Sequence, residues 1–280
     1  MSLHGEAAEG ILEQPGGGHD TLWYLAGPDG YVLRVPANIE CVKMATVVSR
    51  NESDSKVGKA VRIIAHPESA IEFEASERVG VHVTGSHRDD VMIGPVYAGA
   101  VFEGGAGNDR LVAQSTRRND NHAFYGGSGN DTLRGGNGRD TLDGGAGDDV
   151  IVGGNGFNKI FGGTGNDTIS NGDHSSEIHT GPGRNHVTSG AGKDRFHVGP
   201  GENVITGGEG GVTYFVAWGG ILTITDWRDG DRIELEDWPA MPAIGCEGGN
   251  VILSLGLSFI EILGVGDATL VRDQVTMPSK

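Results

Sequence analysis

From Gly126 to Phe215 the chain is ten nine-residue blocks laid end to end. The clearest run reads GGSGNDTLR, GGNGRDTLD, GGAGDDVIV, GGNGFNKIF, GGTGNDTIS, on the template G-G-x-G-x-D-x-U-x, where U is a large apolar residue. A short fixed period means one structural unit stacked on copies of itself, each touching only its neighbours. Chain length then sets no number of domains, because such an array grows without a central core.

Each block divides in two. The first six residues suit a tight turn, since glycine at positions 1, 2 and 4 lets turns approach closely. The last three, x-U-x, suit a short strand with U inward and its neighbours outward. Two blocks then complete one coil of 18 residues, and residues 18 apart lie on adjacent strands roughly 4.8 Å apart. The inward position reads Leu133, Leu142, Ile151, Ile160, Ile169, Ile178, Val187, Phe196, Ile205, Tyr214, all apolar. Outlying blocks fit at 104–112, with Leu111 inward, and at 84–92, with Val91 inward. Longer segments end in Phe102 and Phe124 and predict insertions of two residues in 93–103 and four in 113–125.

Alternate blocks share a side of the coil, so the sixth position forms two columns. One holds Asp89, Asp109, Asp131, Asp149, Asp167, Asn185, Asn203; the other holds Ala100, His122, Asp140, Asn158, Ser176, Asp194, Val212. The core position persists where the acidic one decays towards the C-terminus.

Composition narrows the function. Glycine numbers 50 against 10 prolines and is periodic, which argues for a repeat fold and against a flexible linker. A formal net charge of -17 disfavours nucleic acid and anionic membranes and suits hard cations that seek oxygen ligands. No stretch approaches the ~18 apolar residues of a membrane span. The N-terminus, MSLHGEAAEGILEQPGGG, lacks the basic and apolar regions of a cleaved signal peptide. Cys41 and Cys246 do not make a disulfide framework.

The nonapeptide resembles the calcium-binding repeat of the RTX (repeats-in-toxin, haemolysin-type) family. That resemblance implies an all-β protein, a right-handed parallel β-roll solenoid with two short strands per coil and a C-terminal β capping segment. It implies several Ca²⁺ ions, each held between one turn and the next on the same side. The earlier turn gives the carbonyls of its second and fourth residues and its Asp; the later turn gives those of its first and third residues and its Asp. Carried onto this chain, one site is Gly105, Gly107 and Asp109 with Gly126, Ser128 and Asp131. A second is Gly127, Gly129 and Asp131 with Gly144, Ala146 and Asp149. A third is Gly145, Gly147 and Asp149 with Gly162, Thr164 and Asp167. A fourth, on the other side, is Gly136, Gly138 and Asp140 with Gly153, Asn155 and Asn158. Calcium is expected mainly along the first column, and folding is expected to depend on it.

The flanks are read with the array. ILTITDWRDGDRIELEDW resembles the segment that closes many RTX rolls, and Val251, Leu253 and Leu255, then Phe259, Glu261 and Leu263, predict two strands around Gly256. In the family the uncleaved C-terminus carries a type I secretion signal; the RDQVTMPSK ending departs from its acidic-aromatic pattern. Residues 19–83 read as degenerate coils or a small separate β cap, with strands at Val61–Ile64 and Val81–Val83. The expected organisation is 1–83 N-terminal coils or cap, 84–215 calcium-binding roll and 216–280 C-terminal cap, in a secreted protein without a cleaved leader.

No HExxH, GxSxG elbow, P-loop or dinucleotide fingerprint occurs, and the chain is expected not to be an enzyme. One outward column does carry chemistry: Phe161, His179, His197 and Phe215 recur every 18 residues, with Asp143 beyond. It is a decorated surface, or a stripe that stacks sugars or binds a partner or a transition metal. The leading functional expectation is a calcium-ordered roll presenting a surface for adhesion or carbohydrate binding. The alternatives are an accessory module of a polysaccharide-modifying or proteolytic enzyme, or a structural protein of a cell-surface layer or matrix. Calcium-dependent binding to uronate-rich glycans favours the module, and calcium-driven self-assembly favours the matrix.

Overall fold

A computed structural model describes residues 11–13, 21–25, 32–35, 41–45, 61–75, 80–115 and 117–277. Over the described residues the chain winds as a parallel β-solenoid of about 9 turns with ~19 residues per turn, about 2% of it helical. Among the described residues, alternate strands fall into a 15-stranded and a 12-stranded sheet facing each other across a narrow core.

The register follows the sequence period. Thr132 lies opposite Val150 and Val150 opposite Thr168 in the first sheet. Thr141 lies opposite Lys159 and Lys159 opposite Glu177 in the second. All ten inward residues from Leu133 to Tyr214 are at most 1% exposed, as are Leu111, Phe102 and Phe124. Each block therefore supplies one large buried side chain, worth about 1.5–3 kcal/mol. Where coils lengthen, the core takes aromatic rings: Phe102 and Phe124 stack at 4.8 Å between centroids. The four-residue insertion holds, since Leu133 pairs with Leu111.

One register differs. Leu111 pairs with Met92, not Val91, and Met92 is the fully buried residue. The block is 85–93, with Gly85 first and Asp90 sixth, and the coil that follows carries one extra residue, not two. Only one carboxylate of the Asp89-Asp90 pair fits the buried position. Asp90 takes it, accepting the Ile71 N–H at 2.7 Å and the Ser86 N–H at 2.6 Å. Asp89 instead accepts the Asn108 N–H in an exposed ladder of fifth-position side chains.

Strands at Thr21–Leu25, Cys41–Ala45 and Glu72–Glu74 extend the first sheet, and Val32–Arg34, Val61–Ile64 and Val81–Thr84 extend the second. At the other end, Gly220–Ile224 and Arg232–Glu236 add a further coil. The chain then turns back as an antiparallel meander, Ala243–Glu247, Asn250–Leu255 and Ser258–Ile262, bent at Gly256 with φ 60°. Its last strand lies parallel to Gly220–Ile224 and buries Ile260 and Ile262. A short helix, Thr269–Arg272, leads Val275–Thr276 onto the end of the second sheet. Trp238 closes the core there, donating its indole N–H to the Val216 carbonyl at 3.0 Å. Most of residues 1–60 and the last three residues of the RDQVTMPSK ending lie outside the described residues. Among the described residues no helix is long and apolar enough to cross a membrane.

Candidate metal centre

From 104 to 206 the sixth residue of each block is polar yet buried. Asp109, Asp131, Asp149 and Asp167 in one column, and Asp140, Asn158 and Asp194 in the other, are between 1% and 3% exposed. Their first oxygen is used by the fold. The Asp109 N–H donates to Asp131 Oδ1 at 2.7 Å, Asp131 N–H to Asp149 at 2.7 Å, Asp149 N–H to Asp167 at 3.0 Å and Asp167 N–H to Asn185 at 2.9 Å. The second column repeats the ladder from His122 N–H to Asp140 and from Asp140 N–H to Asn158.

The second oxygen has no protein partner. Oδ2 of Asp109, Asp131, Asp140, Asp149 and Asp167 is buried and accepts no hydrogen bond. Each shares its space with another oxygen. A methyl group added to Gly126 would strike both Asp131 Oδ2 and the Gly144 carbonyl, and one added to Gly144 would strike Asp149 Oδ2 and the Gly162 carbonyl. The same pairing brings Asp109 Oδ2 to the Gly126 carbonyl, Asp167 Oδ2 to that of Thr180 and Asp140 Oδ2 to that of Gly153. Converging oxygens with no donor between them are costly to bury unless a cation or a proton joins them.

The second and fourth glycines complete the cradle. Gly127 and Gly145 sit at φ 114° and 104°, where side chains are strained, and each lies against the carbonyl one coil earlier, Gly105 and Gly127 respectively. The Gly107 and Gly129 carbonyls abut Gly129 and Gly147 in the same way. Third-position carbonyls already take part in the backbone ladder: Ser128, Ala146 and Thr164 accept from the Gly107, Gly129 and Gly147 N–H groups at 2.8–2.9 Å. A carbonyl has two lone pairs, so each keeps one.

Where asparagine replaces aspartate, the orphan disappears. Asn185 Nδ2 donates to the Gly181 carbonyl at 3.2 Å and to Asn203 Oδ1, and Asn203 Nδ2 donates to the Gly199 carbonyl at 3.0 Å. Asn158 Nδ2 donates to the Gly154 carbonyl and, at 2.9 Å, to Asn171 Oδ1. The fourth candidate site is thus open at Asp140 but closed by amides at Asn158. Sequence reasoning missed Asn171, which stands where other blocks have their first glycine and fills the space beside Gly153. Aspartates outside the run are satisfied too: Asp194 by the Ser189 hydroxyl at 2.6 Å, Asp231 by the Val212 and Arg228 N–H groups.

Burial raises the orphaned carboxyls. Desolvation lifts Asp109 and Asp149 to about 7, aided by the charges of neighbouring aspartates, and lifts Asp131 and Asp140 to about 6. His122, in the sixth position of the second column, is pushed down to about 4 by the same desolvation. It accepts the Ala100 N–H at Nδ1 as a neutral ring.

The sequence profile of the RTX calcium-binding nonapeptide repeat matches in four copies, at residues 101–115, 125–160, 144–173 and 178–213. These segments of the roll are RTX calcium-binding nonapeptide repeats. No curated relative matches the chain. The matched segments cover every orphaned carboxylate, and the donor set of carboxylate and carbonyl oxygens is the one a hard cation such as Ca²⁺ prefers.

On the outer face of the RTX roll the aromatic stripe is assembled as the period predicts. Phe161, His179, His197 and Phe215 stack in register, with centroids 4.7, 4.3 and 4.7 Å apart. Tyr125 and Asp143 precede them in the same column. Sequence reasoning missed Glu177, whose Oε1 lies 2.7 Å from His179 Nε2 and 3.9 Å from His197 Nε2. Its spacing two residues before His179, on the same strand face, was the available signal.

Proposed function

We propose that the chain is a calcium-ordered β-roll whose ions lie in one column, between Asp109 and Asp131, Asp131 and Asp149, and Asp149 and Asp167. The glycine, serine, alanine and threonine carbonyls assigned to these turns complete each site. The observation that carries this is the row of buried Oδ2 atoms, each facing a carbonyl with no donor between them. Bound Ca²⁺ supplies the positive charge that these oxygens need. Asp140 offers a weaker fourth site in the other column, because Asn158 already spends its amide on Gly154 and Asn171. The asparagine coils near the C-terminus keep the roll without an ion.

In low calcium the aspartate column stays uncompensated, which suits export of a loose chain that orders outside the cell. The ordered roll then offers its surface for adhesion or carbohydrate binding. Supporting that reading, Arg139, Lys159, Lys193 and Arg195 line one open cleft beside the half-exposed Phe157 ring, with the Arg139 guanidinium over it at 5.0 Å. Four cations and an aromatic platform on an acidic protein fit a uronate-rich glycan.

Calcium titrated into chelator-stripped protein, followed by far-UV circular dichroism and calorimetry, tests the first part. A gain of β-structure with three to four ions bound supports it; no binding sinks it. Calcium-dependent retention on polyuronate, lost in Arg139→Glu/Arg195→Glu, tests the carbohydrate binding, and a positive result favours its form as an accessory module of a polysaccharide-modifying enzyme.

A further inference from the structure

We infer that Glu177, His179 and His197 form a second metal site, for a late first-row transition ion such as Zn²⁺ or Cu²⁺, on the outer face of the roll and independent of the calcium column. Their candidate ligand atoms, a carboxylate oxygen and two imidazole nitrogens, all lie within 4.8 Å of one another. This donor set selects against Ca²⁺, which takes oxygen only, and favours ions that bind imidazole.

The fold organises the three groups. His179 and His197 are direct partners on adjacent parallel strands, and Glu177 precedes His179 by two residues, on the same face. The rings are 4.3 Å apart and 7° from parallel, and Nε2 of each lies on the side of Glu177 Oε1, at 2.7 and 3.9 Å. Phe161 below and Phe215 above stack on the pair at 4.7 Å and hold it on the outer face without occupying its ring nitrogens. A zinc–nitrogen distance of about 2.0–2.1 Å requires only that the two rings tilt towards each other. His179 Nε2 now pairs with Glu177 Oε1 at 2.7 Å; ligation there places its ring proton on Nδ1 and frees the carboxylate oxygen for the same ion. Side-chain exposures of 30%, 29% and 40% for His179, His197 and Glu177 leave an entry path and a fourth position for water.

Lys159 holds the site when no ion is bound. Its Nζ lies 3.6 Å from Glu177 Oε1 and balances the charge that an ion would otherwise meet. An incoming dication must displace or repel it, so Lys159 is a built-in competitor.

The test titrates Zn²⁺ into the full chain held in excess calcium, by calorimetry. One ion per chain is expected, with His179→Ala and His197→Ala each weakening binding at least about ten-fold, the loss typical even of partners behind the ligands. Lys159→Met is expected to tighten it. Long-range nitrogen spectra of the unaltered protein give a second readout that needs no variant: Nε2 of both rings must shift with stoichiometric Zn²⁺. Unchanged isotherms in both histidine variants, unshifted imidazole nitrogens, or release of calcium in step with zinc uptake would each overturn the site.

Discussion

Asp149→Asn should act with opposite sign in the two states of the array. Asp149 sits between Asp131 and Asp167, so its carboxylate serves two of the proposed calcium sites. Its Oδ1 accepts the Asp131 N–H at 2.7 Å, a bond that an asparagine Oδ1 reproduces as Asn185 does for Asp167. Its Oδ2 is the buried orphan. An amide there gains a donor and should reach the Gly145 carbonyl, as Asn185 reaches Gly181 and Asn203 reaches Gly199 four residues earlier. One hydrogen bond contributes about 1 kcal/mol. Removing a carboxyl that burial raises to about 7 adds something more. The chelated protein should therefore gain about 1–2 kcal/mol.

With calcium the account reverses. A site filled at a hundredfold excess over its dissociation constant contributes about 2.7 kcal/mol, and two sites lose a ligand together. The calcium-loaded variant should be about 3–4 kcal/mol less stable than the parent. Urea unfolding by circular dichroism in chelator and in excess calcium, with calorimetric ion counts, reads both effects. Asp149→Ala, lacking the amide, should lose the ions without the apo gain. A variant that binds as many ions as the parent, or that is less stable than the parent in chelator, would refute the assignment of Oδ2 to the cation.

Three further outcomes follow from the same geometry. Because burial raises the folded-state values of Asp109, Asp131, Asp140 and Asp149 above 3.8, the stability they lend to the calcium-free roll is full below about pH 4 and is lost as pH rises through 6 to 7; circular dichroism of chelated protein should show more order at about pH 5 than at about pH 8, and calcium uptake near neutrality should release protons. Gly145→Ala places a methyl group against the Gly127 carbonyl at a positive φ, and should abolish at least one ion and lower the calcium-loaded melting temperature, whereas Gly245→Ala, with open space around it, should not. Asn185→Asp removes the amide from the Gly181 carbonyl and restores a carboxylate opposite Asp167; calorimetry should count one more calcium ion, and an unchanged count would show that the side chain at this position does not select the ion.

How much of this was legible in the sequence depended on whether period or chemistry carried the signal. Burial of Leu133 to Tyr214, the two sixth-position columns and the Phe161–His179–His197–Phe215 stack all follow from a nine-residue step taken twice, and the structure has them in register. The Asp89-Asp90 pair defeated that arithmetic because two adjacent carboxylates offer the same letter to one buried slot; only the Ser86 and Ile71 N–H groups decide between them. The closed half of the fourth candidate site was not legible either. Asn158 looks like a weakened aspartate in sequence, but its amide also donates, and a donor at that point replaces the ion instead of binding it. Glu177 went unnoticed for a different reason. The block template leaves its position unconstrained, and its value lies only in the neighbours that the next coil brings.

The same substitution of donors for cations sets an order of assembly. From Asn185 onward the columns are satisfied by amides, by the Ser189 hydroxyl on Asp194 and by backbone N–H groups on Asp226 and Asp231. The meander through Ser258–Ile262 and the buried Trp238 close that end with apolar contact. No buried carboxylate oxygen in those coils lacks a donor. Between Asp109 and Asp167 every coil of the first column keeps one that does. In a solenoid each coil gains stability only from its neighbours, so an end that is stable by itself acts as the template on which the dependent coils stack. Hydrogen exchange in chelator should accordingly protect the amides of residues 183–206 and 220–262 while those of 104–170 exchange freely, and added calcium should extend protection from Asp167 back towards Asp109. Uniform exchange across both regions in chelator would mean that the roll orders as one cooperative unit and that the asparagine coils are no template.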